Sequence, residues 1–437
     1  MKSYLSNSAW LMADNLFTNA VTFIVFVGVA RYYGADQYGA YAYVFAIAQL
    51  FAVLGQMGLD GLLIRDLVDN PDDHPRVLGT GGGLRFAGYC IGGLGCLIYG
   101  LVMPQHDSTE RWLFFSAFLF ILFTPAPMLL DNWFRSRVEA RYSTIARMAG
   151  TLIGGLARGI VILLGGSIII MGYVQAASVL IIVAVSLPLF LRRGGPAPHR
   201  WVFDPKKARA MLSESWMIFL GSAMALIYLK IDQVMLRWWE GPAEVGIYAV
   251  AARLSEVFYF IPAALVTSFF PRLIQLHKQE REVFNARFES LLALLALLAY
   301  AIMIGIFLFG PLLIKFAFGQ QFEAAGPVLM VHMCSMPFIF MRYAFSRWMV
   351  VERFNVFSVI SQGCGAIANV LLNIVLIPRY GMMGSAVATL ISYAAASYFI
   401  LLVSPRTRPI FFLMTKALFK PWVAIETVNS IRSAKRA

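Results

Sequence analysis

The sequence predicts an all-α polytopic membrane protein with 12 transmembrane helices in two six-helix bundles around a central cavity. Its 437 residues are 59% hydrophobic and only 14% charged, and the mean hydropathy is +0.71. A soluble domain carries about 25% charged residues. The net charge of +13 does not indicate a nucleic acid partner, because the basic residues lie between apolar segments and not on a soluble face.

The predicted helices follow from apolar windows, since about 20 such residues cross the hydrocarbon core. Twelve windows occur, at residues 10–30, 38–59, 79–103, 112–131, 145–165, 168–191, 213–238, 245–270, 289–311, 325–347, 356–377 and 384–403. A further apolar segment runs from Ile410 to Ile425, but Lys416, Lys420 and Pro421 interrupt it. We expect an interfacial helix there.

Charge bias predicts the orientation. With these windows, 25 of the 36 Lys and Arg residues lie on the side of the N-terminus, five lie on the other side and six lie within the spans. The positive-inside rule therefore predicts that both termini are cytoplasmic. The longest outward loop, 104–111, leaves no room for an external catalytic domain.

Short motifs recur between the two halves of the chain. The stretch from Gly34 to Ala42 (GADQYGAYA) is repeated from Gly241 to Ala249 (GPAEVGIYA), 207 residues later, and Gly150 matches Gly365 at a shift of 215. An even number of helices per half predicts a parallel internal repeat. The predicted domains are an N-terminal bundle at 1–191, a cytoplasmic linker at 192–211, a C-terminal bundle at 212–403 and a basic cytoplasmic tail at 404–437.

Six basic side chains lie inside the apolar spans, where each costs roughly 2.5–3.5 kcal/mol on insertion scales. We expect them to face a wet cavity and bind an anionic substrate: Arg158, Arg147, Lys230, Arg253, Arg85 and Arg342. Arg158 ranks first because its window places it near mid-membrane. For Arg85, Arg147 and Arg342 the alternative is snorkelling to headgroups, and for Arg253 it is an i, i+3 ion pair with Glu256.

Polar side chains extend the predicted cavity lining. Asn15, Thr18, Asn19 and Thr22 form one face of the first helix, for which interhelical hydrogen bonding is the alternative. At the 215-residue shift, Arg147 and Arg158 correspond to Gln362 and Asn373, and Gly154 corresponds to Asn369. This face is therefore cationic in one half and neutral in the other.

Three carboxylates are the candidates for ion coupling: Asp14, Asp232 and Glu256. Burial raises the pKa of a carboxyl group, which suits it to reversible protonation. The coupling ion would be H⁺ or Na⁺, and a structural ion pair is the alternative. Neither catalytic residues, a metal site nor a cofactor is predicted, and His332 is interpreted as a core residue.

Three stretches carry a family signature. They are residues 30–41 with 58–61 and Arg65, residues 230–236 with 245–256, and residues 369–378 with 380–381 and 384–386. These residues resemble the polysaccharide transporter branch of the multidrug/oligosaccharidyl-lipid/polysaccharide exporter superfamily, and more closely the Wzx-type O-antigen flippases. The resemblance covers about residues 5 to 403. A related peptidoglycan-precursor flippase group typically has fourteen helices, and the twelve windows here depart from it.

The resemblance implies a flippase in the bacterial inner membrane. It would move undecaprenyl-diphosphate-linked oligosaccharide units of O-antigen, capsule or exopolysaccharide from the inner to the outer leaflet by ion-coupled alternating access. A polysaccharide polymerase complex is an expected partner. The alternatives are a small-molecule exporter of the same superfamily and, less favoured by the short outer loops, a membrane polymerase or glycosyltransferase.

Overall fold

The computed structural model describes residues 2–104, 106–279, 281–352 and 354–423, and this part of the chain contains helices and no strand. The predicted tail therefore lies outside the described residues from 424 onward. Fifteen α-helices occur in the described part: α1 Lys2–Gln56, α2 Asp60–Asp69, α3 His74–Val102, α4 Ser108–Phe123, α5 Pro125–Ser136, α6 Ala140–Leu163, α7 Ile168–Arg192, α8 Pro205–Trp239, α9 Pro242–Glu256, α10 Phe260–Gln279, α11 Arg281–Phe318, α12 Ala325–Cys334, α13 Met336–Val351, α14 Asn355–Ser397 and α15 Arg408–Phe419.

Nine helical segments of the described chain are long and apolar enough to cross a membrane, and α12 with α13, bent by 41°, makes a tenth. Two of the nine are far longer than one crossing requires. The segment Trp10–Asp69 has 60 residues and Val356–Leu402 has 47, which correspond to about 90 and 70 Å of helix against a core of about 30 Å. Within them the backbone leaves the helical region at Gly34 and at Gly381.

Glycines aligned by the sequence repeat share their conformation. Gly34 has φ 78° and ψ 175°, and its counterpart Gly241 has φ 97° and ψ −179°. Both positions require a residue without Cβ, because positive φ is strained for other residues. Gly150 and Gly365 each approach a serine carbonyl of a neighbouring helical segment: the position of an added Cβ lies 3.2 Å from Ser178 O and 3.6 Å from Ser392 O respectively. These observations agree with the predicted repeat.

The chain forms two compact units that divide within α8, after Leu226. In the first unit α1 packs on α3 and α6, α3 packs on α4, and α4 and α6 pack on α7. Glycines permit the close α1–α3 contact, since an added Cβ at Gly92 or Gly88 would lie 2.4 or 2.5 Å from a carbonyl oxygen of α1. Small residues serve this purpose in membrane helices generally.

The predicted linker 192–211 is tied to the first unit. Val202 N donates to Pro75 O at 3.1 Å, and Asp204 N donates to the buried hydroxyl of Thr80 at 3.0 Å. An added Cβ at Gly79 would lie 2.4 Å from Val202 O. The segment is therefore packed against α3, and the boundary between the compact units lies further along the chain.

In the second unit α12 packs on α9, α11 and α14, and α13 packs on α11 and α14. Helix α15 lies against α11 and α13 and buries Ile410, Met414 and Ala417. With 12 residues, about 18 Å, it is too short to cross the membrane.

Candidate functional site: charged clusters inside the two units

Arg147 of α6 is neutralised by two carboxylates. Its Nε and Nη2 atoms lie 2.8 and 2.7 Å from Asp14 Oδ2 on α1, and its Nη1 atom lies 2.8 Å from Asp131 Oδ1 on α5. Asp131 also pairs with Arg135 at 2.7 Å. Arg147 therefore connects three helices as part of a closed ion network and, in this arrangement, has no unneutralised charge for a substrate.

Arg85 is buried completely and does not reach the headgroups by snorkelling. Its Nη2 atom donates to Asp60 Oδ1 at 2.5 Å, and Asn132 donates to the same oxygen at 3.2 Å. The Asp60 side chain is 56% exposed. The pair joins α3 to the start of α2.

Arg158 differs from the other cations of the first unit that were predicted to bind substrate. It donates to Gln175 Oε1 of α7 and pairs with no carboxylate among the described residues. Its buried Nε atom has no hydrogen-bond partner. The Tyr41 hydroxyl lies close enough to interact with it electrostatically. Along the chain Arg158 lies five residues before the end of α6 at Leu163, and its depth near mid-membrane stays a prediction.

The polar face predicted on α1 is divided between two environments. Asn15 and Asn19 are exposed, whereas Thr18 and Thr22 are partly buried. The Thr18 hydroxyl donates to Asp14 Oδ1 at 3.3 Å. Thr18 is thus joined to the network around Arg147 through Asp14, whereas the amides of Asn15 and Asn19 are exposed.

In the second unit Lys230 and Arg253 share one carboxylate. Lys230 Nζ lies 3.0 Å from Glu256 Oε1, and Arg253 Nη1 lies 3.4 Å from Glu256 Oε2. The expected i, i+3 contact of Arg253 is present, but Lys230 makes the shorter one. This group of three carries one net positive charge.

A buried polar network surrounds Asp232 of α8. Its Oδ1 atom accepts from Asn373 Nδ2 at 2.7 Å, and its Oδ2 atom accepts from Tyr248 and Thr389 hydroxyls at 2.6 and 2.5 Å. Asn369 Oδ1 accepts from Asn373 Nδ2 at 3.1 Å. Asp232, Asn369, Asn373 and Thr389 are at most 4% exposed.

The Asp232 network borders a small cavity in the second unit. Glu256 also lines this cavity, as does His332, whose ring packs edge-on against Tyr248 at 5.2 Å between centroids. Two of the three predicted coupling carboxylates therefore meet at one cavity. The third, Asp14, belongs to the first unit. Gln362 lies apart from this network and donates to Ser358 Oγ at 3.4 Å.

Arg342 of α13 caps a helix. Its Nη1 atom donates to Ala396 O at 2.8 Å and to Ser361 Oγ at 3.0 Å, and the residue is 8% exposed. Ala396 lies in the last turn of α14, where carbonyl groups lack helical partners and a cation is favourable. This contact explains the buried charge without a substrate or a headgroup.

Several partners of the predicted residues could not be found from spacing. Gln175, Asp131, Asp60, Tyr248 and Thr389 all belong to other helices than the residue that each one contacts. Of these five partners, Tyr248 could have been singled out from the sequence, because it belongs to the repeated GxYA motif.

Apolar helices, two compact units and buried charged clusters define a multi-pass membrane protein of the transporter class. A family model described as "Polysaccharide biosynthesis protein" matches residues 4–277, and one described as "Lipid II flippase MurJ" matches residues 143–434. Each match spans more than half of the chain. The chain therefore belongs to the polysaccharide biosynthesis protein family. This family lies within a superfamily of flippases and exporters, which are membrane transporters and not enzymes.

Two curated relatives come from the archaeon Haloferax volcanii. The "Probable flippase AglR" is 26% identical over 202 residues, which are 44% of this chain and 42% of the relative. The "Probable low-salt glycan biosynthesis flippase Agl15" is 25% identical over 197 residues, 43% and 40% of the two chains. The chain thus matches about two fifths of the length of each.

Solved structures support the fold. "Lipid II flippase MurJ, inward closed conformation" superposes with a TM-score of 0.71 at 15% identity over 97% of this chain and 93% of that one. An inward-facing multidrug resistance MATE family transporter gives 0.66 at 14% identity over 91% and 96%. The number of predicted helices set this chain apart from the peptidoglycan-precursor flippases. Its fold nevertheless resembles that of the lipid II flippase MurJ.

Proposed function

We propose that this protein is a flippase for a lipid-linked oligosaccharide. Membership of the polysaccharide biosynthesis protein family and similarity to relatives named as flippases support the class. In this proposal the substrate is an undecaprenyl-diphosphate-linked O-antigen, capsule or exopolysaccharide unit, and it moves from the cytoplasmic to the outer leaflet of a bacterial inner membrane. A polysaccharide polymerase complex would receive it.

The proposed membrane arrangement has twelve crossings with both termini in the cytoplasm. Dividing the long segments at Gly34 and Gly381 and counting the bent α12–α13 pair as one span supports this number. The charge bias of the loops supports the orientation.

Arg158 is the observation on which the substrate proposal depends. Its charge is not matched by a carboxylate among the described residues, and its Nε proton is buried without an acceptor. An unpaired buried charge costs several kcal/mol. An anionic ligand that accepts a hydrogen bond from Arg158 Nε would lower this cost. A phosphate or sugar carboxylate would accept from Nε while Gln175 holds the other side of the guanidinium group.

We further propose that ion coupling involves Asp232. A cation would be held by oxygen atoms of Asp232, Asn369, Asn373 and Thr389, and Asn373 Oδ1 is buried without a partner. Oxygen ligands suit Na⁺ as well as H⁺. No group of three His, Cys, Asp or Glu side chains that could hold a metal occurs within the described ranges.

Export of the glycan to the cell surface tests the Arg158 proposal. We expect Arg158→Gln to lower export about tenfold or more, because a charge-assisted contact contributes about 1.5–3 kcal/mol, and Arg158→Lys to retain part of it. Arg111→Gln, at an exposed cation of α4, is the matched control. Export at the wild-type rate in both Arg158 variants, at equal protein levels, would sink the assignment.

A small-molecule exporter is the second candidate, because the fold also resembles the MATE transporter. Deletion of the gene separates the two functions. Accumulation of a lipid-linked glycan on the cytoplasmic face supports the flippase, whereas drug sensitivity with an unchanged surface glycan supports the exporter.

A further inference from the structure

Helix α15 presents one stripe of cations and aromatic rings away from the protein. Arg408, Phe412, Lys416 and Phe419 follow one another at spacings of four, four and three residues and so share a face, and Lys420 adjoins it. Phe412 and Phe419 are 64% and 74% exposed. We call these five residues the α15 outer stripe.

The stripe is held in a fixed orientation by the opposite face of the helix. The Tyr398 and Thr415 hydroxyl oxygens are 2.6 Å apart, and the rings of Tyr398 and Phe411 lie 4.5 Å apart between centroids. Tyr300 donates to Leu418 O at 3.2 Å. These contacts, with the buried apolar residues, prevent rotation of α15, so the exposed rings and cations are not free to turn inward.

The position of α15 in the chain restricts what can cover the stripe. Only Val403–Thr407 separate it from the 3₁₀ turn Phe399–Leu402 that ends the α14 span. A helix that follows a transmembrane span so closely, and that is too short to cross, lies at the boundary between headgroups and acyl chains. Aromatic rings favour this depth, and basic residues there bind phosphates.

The charge of the stripe indicates the kind of lipid. Lys416 Nζ lies 2.6 Å from Glu289 Oε1. Arg408 uses Nε to donate to Leu402 O at 3.0 Å, and neither Arg408 nor Lys420 pairs with an acidic side chain within the described ranges. Three cations thus face one carboxylate, and the excess is positive.

We propose that the α15 outer stripe is a binding surface for acidic phospholipid headgroups, with the two phenylalanine rings inserted among the lipids and Arg408 and Lys420 on the phosphates, beside the Lys416–Glu289 pair. This surface is distinct from the proposed glycan site and does not depend on it. It would fix the end of the second unit to an anionic leaflet.

Native mass spectrometry of the purified full chain, with phosphatidylglycerol or phosphatidylcholine added, tests this surface. The wild type should retain phosphatidylglycerol in preference. A triple variant R408Q/K416Q/K420Q removes three cations, of which Lys416 is paired with Glu289. It should lose affinity for phosphatidylglycerol by roughly fivefold for each of the other two, on the order of 25-fold in total, from about 1 kcal/mol per basic residue. Raising the salt concentration should weaken the preference of the wild type.

Two further variants keep the test decisive. R192Q/R200Q/K206Q removes three exposed cations elsewhere and should leave the preference unchanged, and R408K with K416R and K420R should retain it. An unchanged preference in the Gln triple, or an equal loss in the control, overturns the proposal. So does a stripe-dependent dimer in light scattering, which would mean that a second copy covers the stripe.

Discussion

Arg158 of the first unit and Asn373 of the second occupy positions that the internal repeat aligns, yet their surroundings have opposite chemistry. Arg158 pairs with no acidic side chain in the part of the chain that the structure describes, and the neutral groups Gln175 and Tyr41 lie near it. Asn373 donates to the carboxylate Asp232, which two hydroxyl groups also contact. In the function that we propose, the surroundings of Arg158 would bind an anion and those of Asp232 would bind a cation.

The largest expected effect comes from Asp232→Asn, which keeps the shape of the Asp232 network and removes its negative charge. We expect ion-dependent glycan export to fall about 100-fold, because a buried hydrogen-bonded charge is worth about 2–5 kcal/mol to its partner. Export measured against imposed H⁺ and Na⁺ gradients checks this. Gln362→Glu, on α14 but outside the network, is the control for altered charge. If export by Asp232→Asn depended on the imposed ion gradients as in the wild type, the proposed difference between the two units would be wrong.

The next effect separates Arg147 from Arg158 within the first unit. Arg147→Gln leaves Asp14 without its cation and Asp131 with Arg135 alone, and we expect it to lower the free energy of unfolding by about 3 kcal/mol. Arg158→Gln should not lower it. Thermal unfolding of the purified variants measures both. Asp14→Asn with Asp131→Asn should restore most of the loss in Arg147→Gln, and a failure to restore it would contradict the ion-network interpretation.

Arg342→Gln should lower the free energy of unfolding by about 2 kcal/mol without changing substrate affinity, since it removes a charge-assisted hydrogen bond and a cation from the end of α14. Unfolding and glycan export measured on the same variant check this. Arg342→Lys should recover part of the stability. Lost export at unchanged stability would make Arg342 a substrate contact, as the sequence suggested.

The repeat itself can be tested at its paired glycines. Gly34→Ala and Gly241→Ala should each cost about 1–2 kcal/mol, because both residues have positive φ. Gly159→Ala is the control, since Gly159 is helical with open space beside it and an alanine there should stabilise by up to about 1 kcal/mol. Unequal losses of stability at Gly34 and Gly241 would contradict the structural equivalence of these two positions.

The smallest effect concerns Asp204, which precedes α8 outside the membrane segments. Hydrogen bonds from the backbone N–H of Lys207 and of Lys206 hold the pKa of this carboxyl below its usual 3.8. The stability that it contributes is present above the unfolded pKa and is lost as pH falls through the lower folded value. Melting temperatures of the wild type and Asp204→Asn should therefore differ at pH 7 and converge once the pH falls below the lowered folded pKa of Asp204. A constant difference would exclude the linkage.

The sequence by itself determined the membrane class, the apolar and helical character of the chain and the repeated glycine motifs, but not the burial of the charged residues, since the Arg253 side chain is 46% exposed. These properties depend on composition and on spacing along one helix, and hydrocarbon imposes them residue by residue. Arg253 with Glu256, three residues apart on α9, is the one predicted pairing of this local kind, and the contact is present.

Only the tertiary structure decided which group each cation contacts. Arg85, Arg147, Lys230 and Arg342 contact groups on other helices, from 19 to 133 residues away along the chain. Packing brings these partners together, and a sequence period cannot report a distance between helices. Among the described residues the six cations thereby divide into the Arg147 ion network, the Arg85–Asp60 pair, the Glu256 carboxylate shared by two cations, and two guanidinium groups without a carboxylate partner: Arg342, which caps α14, and Arg158, which contacts Gln175.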